Sequence, residues 1–253
     1  MRTPIVAGNW KMHGTLDSAR TLAAEVAGQA AGHDGVGIVV IPPFVHLQAV
    51  RDALGGAPVA LGAQDVSVHE EGAFTGEISA RMLLDLGCRY VLCGHSERRQ
   101  YHGESHEQVA QKFMAARRAG LVPVLCVGES LEQRENGQTE QVLRAQLEPV
   151  LRLGGPAAFE QAVLAYEPCW AIGTGRTASP EQAQAAHRFL RGQVAAFSAT
   201  IADLLPILYG GSVKPANAAQ LFAQPDVDGG LVGGASLVAS EFMGIVAAAA
   251  RRT

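Results

Sequence analysis

The chain reads as an α/β protein, a closed parallel (β/α)8 barrel, and three features carry that reading. Eight short apolar runs recur at a nearly even interval, several are apolar throughout, as strands buried on both faces must be, and helix signals fall between them. The runs are Ile5 to Ala7, Val36 to Ile41, Val59 to Leu61, Tyr90 to Cys93, Leu121 to Val127, Ala162 to Tyr166, Ile207 to Tyr209 and Val227 to Val232. Their ends repeat every 32 residues or so, roughly one strand, one helix and two loops.

Taken in order, the first run stops at Asn9-Trp10-Lys11, and the fourth stops at Gly94-His95-Ser96. Before the fifth run, Ser105 and Gln108 have capping-box spacing, and Gly120 can close the helix that they open. After the sixth, Ser179-Pro180-Glu181-Gln182 supplies an N-cap, a proline at the first helical position and a second capping box. Ala186, Leu190, Val194 and Phe197 would then form one apolar stripe. Glycine pairs follow the last two runs, Gly210-Gly211 and Gly233-Gly234. No Pro/Ser-rich linker separates the eight units, so residues 1–253 are expected to form a single barrel domain. The pattern alone leaves an open doubly wound sheet as the alternative.

Composition removes several classes. Hydrophobic residues make up 48% of the chain and charged residues 17%, the opposite of a disordered composition. A formal charge of −4 without a basic block makes nucleic acid an unsuitable partner. No apolar run is long enough for a membrane span, and Asn9 and Lys11 interrupt any signal-peptide core, so a soluble cytoplasmic protein is expected. Cys88, Cys93, Cys126 and Cys169 form no CxxC pair and read as reduced thiols. His102 and His106 have i, i+4 spacing around Glu104, but Gly103 and the Ser105 cap break the helix that a metal pair would need. No metal is expected.

In such a barrel the loops after the strands form the active face. Lys11, His95 and Glu167 each follow an apolar run, so an ammonium, an imidazole and a carboxylate share one rim. The glycine pairs can bring backbone amides close to an anion, and phosphate suits the position after strands seven and eight. Each feature has a plainer reading: tight turns for the glycines, an ion-pair partner for Glu167, a satisfied rim histidine, a solvated lysine. At a helix start, His95 would meet the positive end of the dipole, which disfavours the imidazolium. The stretch Ala171 to Gly175, between Pro168 and Pro180, reads as a lid. Gly173-x-Gly175-x-x-Ala178 also fits a dinucleotide fingerprint nominally, but in the sixth unit and with only Asp203 as the distant acid.

These residues spell a family resemblance. Ala7-Gly8-Asn9-Trp10-Lys11, Gly94-His95-Ser96-Glu97-Arg98-Arg99, Tyr166-Glu167-Pro168-Cys169-Trp170-Ala171-Ile172-Gly173-Thr174-Gly175, Tyr209-Gly210-Gly211-Ser212-Val213 and Leu231-Val232-Gly233-Gly234-Ala235 closely resemble the triosephosphate isomerase family. The likeness runs in order from residue 5 to about 238. It implies the TIM barrel and interconversion of dihydroxyacetone phosphate and D-glyceraldehyde 3-phosphate through an enediolate, in glycolysis and gluconeogenesis, without a cofactor. It also implies roles that come with the family, which is a standard example of a glutamate base paired with a neutral histidine. Glu167 would be that base and His95 the neutral electrophile. Lys11 and Asn9 would stabilise the oxyanion, with Glu97 in support beside Lys11. Gly173, Ser212, Gly233 and Gly234 would grip phosphate through their amides. The stretch from Gln64-Asp65-Val66 to Phe74-Thr75-Gly76-Glu77 resembles the family's long third loop, which implies a homodimer with Thr75 inserted beside the neighbour's Asn9 and Lys11.

The chain departs from the commonest pattern at Cys169 in the first hinge of the lid, at Arg176 in the second and at Gly230 in the last strand. None of these removes a catalytic group. Two other readings stay in view: another phosphate-binding barrel isomerase, and a non-catalytic phosphate-binding module that needs only the glycines. Lys11, His95 and Glu167 at three separate strand ends speak against the first, and a turnover assay with glyceraldehyde 3-phosphate separates the second.

Overall fold

The computed structural model describes residues 2–173 and 176–251, and over them the eight runs close into a barrel of parallel strands. The strands are β1 (Ile5–Asn9), β2 (Gly37–Ile41), β3 (Val59–Ala63), β4 (Cys88–Cys93), β5 (Val122–Val127), β6 (Val163–Tyr166), β7 (Ile207–Tyr209) and β8 (Gly229–Val232). Each pairs with the next, and β1 meets β8 in the register Ile5↔Gly229 to Gly8↔Val232. That last pairing removes the sheet edges and with them the open doubly wound alternative. The helices among the described residues are α1 (Leu16–Ala30), α2 (Leu47–Leu54), α3 (Ala80–Asp85), α4 (Ser96–His102), α5 (His106–Ala119), α6 (Leu131–Glu135), α7 (Thr139–Gly154), α8 (Pro180–Ala195), α9 (Ala199–Leu204), α10 (Pro215–Phe222) and α11 (Ala239–Ala250).

The apolar runs lack polar alternation because both strand faces are buried, each in a different core. Ile5, Ala7, Val39, Ile41, Leu92, Val124, Cys126, Val163, Ala165, Leu208 and Leu231 fill the barrel interior. Their neighbours in sequence, such as Val6, Val40, Val91, Leu125, Leu164 and Val232, pack outward against the helices. The four cysteines are free thiols, and Cys93 and Cys126 are fully buried inside strands.

Local signals hold with two differences. Ser179 and Gln182 form the full reciprocal box, at 3.2 and 3.0 Å. Ser105 accepts the Gln108 amide at 3.1 Å and Gly120 closes α5 at φ +97°, but Gln108 sends no side-chain bond back, so only half of that box exists. The expected stripe on α8 stops short as well: Ala186, Leu190 and Val194 are buried, whereas Phe197 lies beyond the helix and is exposed. The reason is the next cap, because Ser198, three residues after α8 ends, accepts the Ile201 amide and starts α9. Between His102 and His106, Gly103 takes φ +67° and ends α4, which separates the two histidines onto different helices. No helix among the described residues is long and apolar enough to cross a membrane.

Candidate active site

A cavity of about 570 Å³ opens at the carboxyl ends of the strands, lined by Asn9, Lys11, His95, Glu167, Gly173, Ser212, Gly233 and Gly234. Every candidate polar and glycine residue of the rim is therefore in one place. Glu97 sits just outside it, bonded to Lys11, and Thr75 lies on a distant loop.

Lys11 follows β1 in a left-handed conformation, φ +51°, the only non-glycine residue with positive φ among those described. Such a conformation persists only where surrounding bonds fix it. Here the Lys11 amide donates to Asn9 Oδ1 at 3.0 Å, and Gln64 Nε2, just after β3, donates to the Lys11 carbonyl at 2.7 Å and to Ile41 O at 3.2 Å. The Lys11 ammonium reaches Glu97 Oε1 at 2.6 Å. Backbone and tip are both held, which aims the cation along the cavity wall.

His95 is the N-cap of α4, and its Nδ1 accepts the Glu97 amide at 3.2 Å. With Nδ1 used as an acceptor, the ring proton belongs on Nε2. Nε2 lies 3.1 Å from Glu167 Oε1, and the Ser96 amide donates to Glu167 Oε2 at 2.8 Å. The turn carrying His95 is fixed by Arg99, which donates to Gly94 O and Cys126 O at 2.8 and 3.0 Å. Burial pushes the Arg99 guanidinium below its ordinary range.

Glu167 is buried at the end of β6, its amide donating to Val127 O at 2.8 Å. Two glycines make room for it. A Cβ on Gly128 would stand 1.7 Å from Glu167 O, and one on Gly210 would stand 2.8 Å from Glu167 Cγ. The two glycine pairs thus differ. Gly210 clears space for Glu167, and a Cβ on Gly211 would meet the Tyr209 hydroxyl at 2.2 Å, so packing explains that pair. A Cβ on Gly234 would meet nothing and one on Gly233 only Lys11 Cε at 3.5 Å, which leaves the second pair open to an approaching ligand. No turn, loop or cap hydrogen bond among the described residues engages the amides of Gly173, Ser212, Gly233 or Gly234.

Of the expected lid, Thr174 and Gly175 lie outside the described residues, and with Gly175 the nominal dinucleotide fingerprint does too. Its two ends are tied down. Trp170 Nε1, Tyr166 Oη and Arg134 Nη1 all donate to Oε1 of buried Glu129, at 3.0, 3.0 and 3.1 Å, and the Arg134 guanidinium lies over the Trp170 ring at 4.7 Å. At the other end the Ala178 amide donates to Tyr209 Oη at 3.2 Å. Gln64, Ser96, Arg99, Gly128, Glu129 and Tyr209 had no individual role in the sequence reading. Ser96 and Arg99 lay inside the Gly94–Arg99 motif, Tyr209 headed the motif that contains Ser212, and Gln64 opened the third-loop stretch, and that proximity was the available signal; Gly128 and Glu129 had none.

The third loop leaves β3 and returns at α3, pinned at its base by Ser67 N–H to Ile78 O at 2.8 Å. Beneath it Lys112 and Arg98 grip Asp65 and Glu104, a largely buried ion network with contacts of 2.5–2.9 Å. At its tip His69 stacks on Phe74 at 3.6 Å, and Thr75 is exposed.

A closed parallel barrel with an acid, an imidazole and an ammonium gathered beside open glycine amides at its carboxyl-terminal mouth defines a barrel enzyme with an anion-binding active site. The family model for triosephosphate isomerase matches residues 4–249. The chain is 64% identical to the triosephosphate isomerases of Xanthomonas campestris pv. campestris and Xanthomonas axonopodis pv. citri, and 62% identical to that of Stenotrophomonas maltophilia, in each case over 99% of both chains. The chain belongs to the triosephosphate isomerase family.

Proposed function

We propose that this isomerase interconverts D-glyceraldehyde 3-phosphate and dihydroxyacetone phosphate by proton transfer through an enediolate, the step that serves glycolysis and gluconeogenesis. The observation that carries the proposal is the meeting of His95 Nε2 and Glu167 Oε1 at 3.1 Å in the cavity that Lys11, Ser212, Gly233 and Gly234 also line.

Glu167 takes a proton from one carbon and returns it to the next. Its Ser96 and His95 bonds hold the carboxylate at the wall, and a triose entering between His95 and Glu167 exchanges that contact for one to its own oxygen. His95 offers Nε2–H to the carbonyl, and the Glu97 amide on Nδ1 keeps the proton on that nitrogen. Lys11 and Asn9 stabilise negative charge as it develops on oxygen, with Glu97 holding the ammonium in place. A pre-aimed donor of this kind is worth about 2.7–4 kcal/mol in the transition state, or on the order of 10² to 10³ in rate. Gly173, Ser212, Gly233 and Gly234 take the phosphate through their amides. Closure of a lid after β6 would follow from membership of the family, the usual illustration of such gating. Exclusion of water matters because an exposed enediolate phosphate can expel its phosphate. Proton transfer between adjacent carbons with donors on both oxygens needs no metal or organic cofactor.

The chain serves as one barrel unit, and it acts in the cytoplasm as a homodimer joined through the third loop, with Thr75 reaching the neighbour's Asn9 and Lys11. Support for the dimer comes from apolar side chains left at the surface on that loop and next to Lys11: Phe74 is exposed, and Met12 is 93% exposed. A coupled assay on glyceraldehyde 3-phosphate tests the activity, with 2-phosphoglycolate as competitor. Turnover abolished by the competitor is expected, and absence of turnover in the folded protein overturns the reading.

A further inference from the structure

His187 lies in α8, touches no part of the cavity, and is fully buried. Its Nδ1 is 3.1 Å from the Asp226 carbonyl, while Nε2 is buried with no partner. Nδ1 anchors the residue and Nε2 makes no bond, so what the side chain otherwise presents to its surroundings is a flat ring, and the neighbours of that ring define its role. The His187 ring meets Tyr166 edge-on, 5.8 Å between centroids at 86°, and faces Tyr209 at 6.4 Å and 34°, and the two tyrosines are 6.4 Å apart. These are the two phenols at the ends of segment 168–178. Tyr166 Oη donates to Glu129, which also accepts Trp170 Nε1, and Tyr209 Oη accepts the Ala178 amide.

We infer that His187 is a positioning residue for the isomerisation: its ring props Tyr166 and Tyr209 so that their hydroxyls secure Trp170, through Glu129, and Ala178 at once. The inference rests on the function proposed above. The prop is itself rooted. Asp226, which receives His187, is gripped by Arg191 at 2.6 Å and by Gln184 at 2.6 Å, and Arg191 goes on to Asp228 at 2.7 Å. A continuous path of contacts therefore runs from this ion network through the imidazole to both phenols, and from them to Trp170 and Ala178. Without a ring at position 187 the tyrosines can tip into the vacated space, and the segment loses fixed anchors at both ends.

The consequence is read in the products. When the mouth is poorly covered, the enediolate breaks its C–O bond to phosphate, the electron pair leaves with inorganic phosphate, and the remaining enol tautomerises to methylglyoxal. No oxidant or reductant is needed. His187→Gln keeps an N–H for Asp226 and a similar volume but removes the ring, whereas His187→Phe keeps the ring and removes the donor. Inorganic phosphate released per isomerisation, measured on the full-length enzyme, is expected to rise about tenfold in His187→Gln and to stay within about threefold of wild type in His187→Phe. Phe113→Leu, in a buried ring pair with Phe159 away from the tyrosines, is expected to lower stability without changing the ratio. A folded His187→Gln enzyme with the wild-type ratio overturns the inference, as does equal release from Phe113→Leu, which would make release a symptom of lost stability. Should His187→Gln not fold, His187→Phe decides: a wild-type ratio supports the prop, and release equal to that of Tyr209→Phe overturns it. Failure of the wild-type chain to isomerise at all would instead remove the proposed function.

Discussion

In the proposed mechanism, one methylene separates a working Glu167 from an idle one. The residue is placed by Val127 at the end of β5, which accepts its amide, and by Ser96 and His95 after β4, which meet its carboxylate, so its reach into the cavity is fixed and cannot be recovered by backbone movement. Glu167→Asp is expected to lower kcat by on the order of 10² to 10⁴ while KM changes little, as befits loss of a positioned base. Steady-state kinetics in both directions check this, and near-normal turnover would refute the assignment. Glu167 also exposes a limit of sequence reading at this scale. Its type and its place after a strand were legible, but the requirement for Gly128 was not, because that glycine matters through a backbone approach across 39 positions. Gly128→Ala would drive a Cβ into the Glu167 carbonyl at 1.7 Å, and kcat per folded molecule should fall along with Tm. Cys169 is a second residue whose surroundings decide its chemistry. A thiol in a hinge would be open to oxidation if exposed, but this one is partly buried, and burial, with the Glu167 and Glu129 charges, pushes it up to about 12. Thiolate is scarce at neutral pH, so activity should survive mild peroxide, and a loss prevented by Cys169→Ser would contradict this.

At the scale of the element, α8 is built by local signals but secured by groups far away in sequence. Its start was readable from Ser179, Pro180 and Gln182, whereas its anchoring on Asp226 and Asp228 was not, since helical periodicity shows which face is apolar and not which buried polar groups find each other. His187 and Arg191 are buried at positions that a hydrophobic pattern assigns to the core, and the Asp226 carbonyl, the Asp226 and Asp228 carboxylates and the Ala202 and Leu205 carbonyls make them tolerable there. This arrangement gives the helix a pH dependence. Burial, opposed by the Asp226 carbonyl, pushes the His187 imidazole down from 6.5 to about 4. The unfolded chain therefore binds this proton first as pH falls, and stability is complete above about 6.5 and declines between there and about 4. Asp226 continues the trend. Burial would raise its carboxyl, but hydrogen bonds from Gln184 and Arg191 outweigh that and hold it below 3.8, so its contribution is lost at still lower pH. Urea unfolding at fixed protein concentration should show a loss of about 2 kcal/mol between pH 7 and pH 4.5 from His187 alone. The His187→Gln variant should show a correspondingly flatter profile, and an equal decline in both proteins would assign the acid sensitivity elsewhere.

Across the whole molecule, the barrel was legible because a strand buried on both faces has no polar alternation to confuse with a helix, and eight such runs at even spacing leave little choice of topology. The mouth was legible for a related reason: chemistry follows strand ends, so Asn9, Lys11, His95 and Glu167 could be collected without coordinates. What stayed hidden were contacts between units. Asp65, Arg98, Glu104 and Lys112 come together under the third loop from β3, α4 and α5, and no local pattern announces that four charges will share one buried site. That network has a consequence for assembly. It makes a base for a loop at whose tip His69 stacks on Phe74 while Phe74 and Thr75 stay exposed, as does Met12 beside Lys11. Such a base suits a loop that is finished by a neighbour, and the neighbour's Thr75 would then close over Asn9 and Lys11. Sedimentation is expected to give a mass of twice the 26.5 kDa chain. Thr75→Arg, which adds a charged side chain at the tip without touching the cavity of its own subunit, should halve that mass. It should also lower kcat by at least about tenfold, because a Lys11 held in a strained left-handed turn loses one wall of its cage. A monomeric Thr75→Arg protein with full activity would show that each barrel completes its own site.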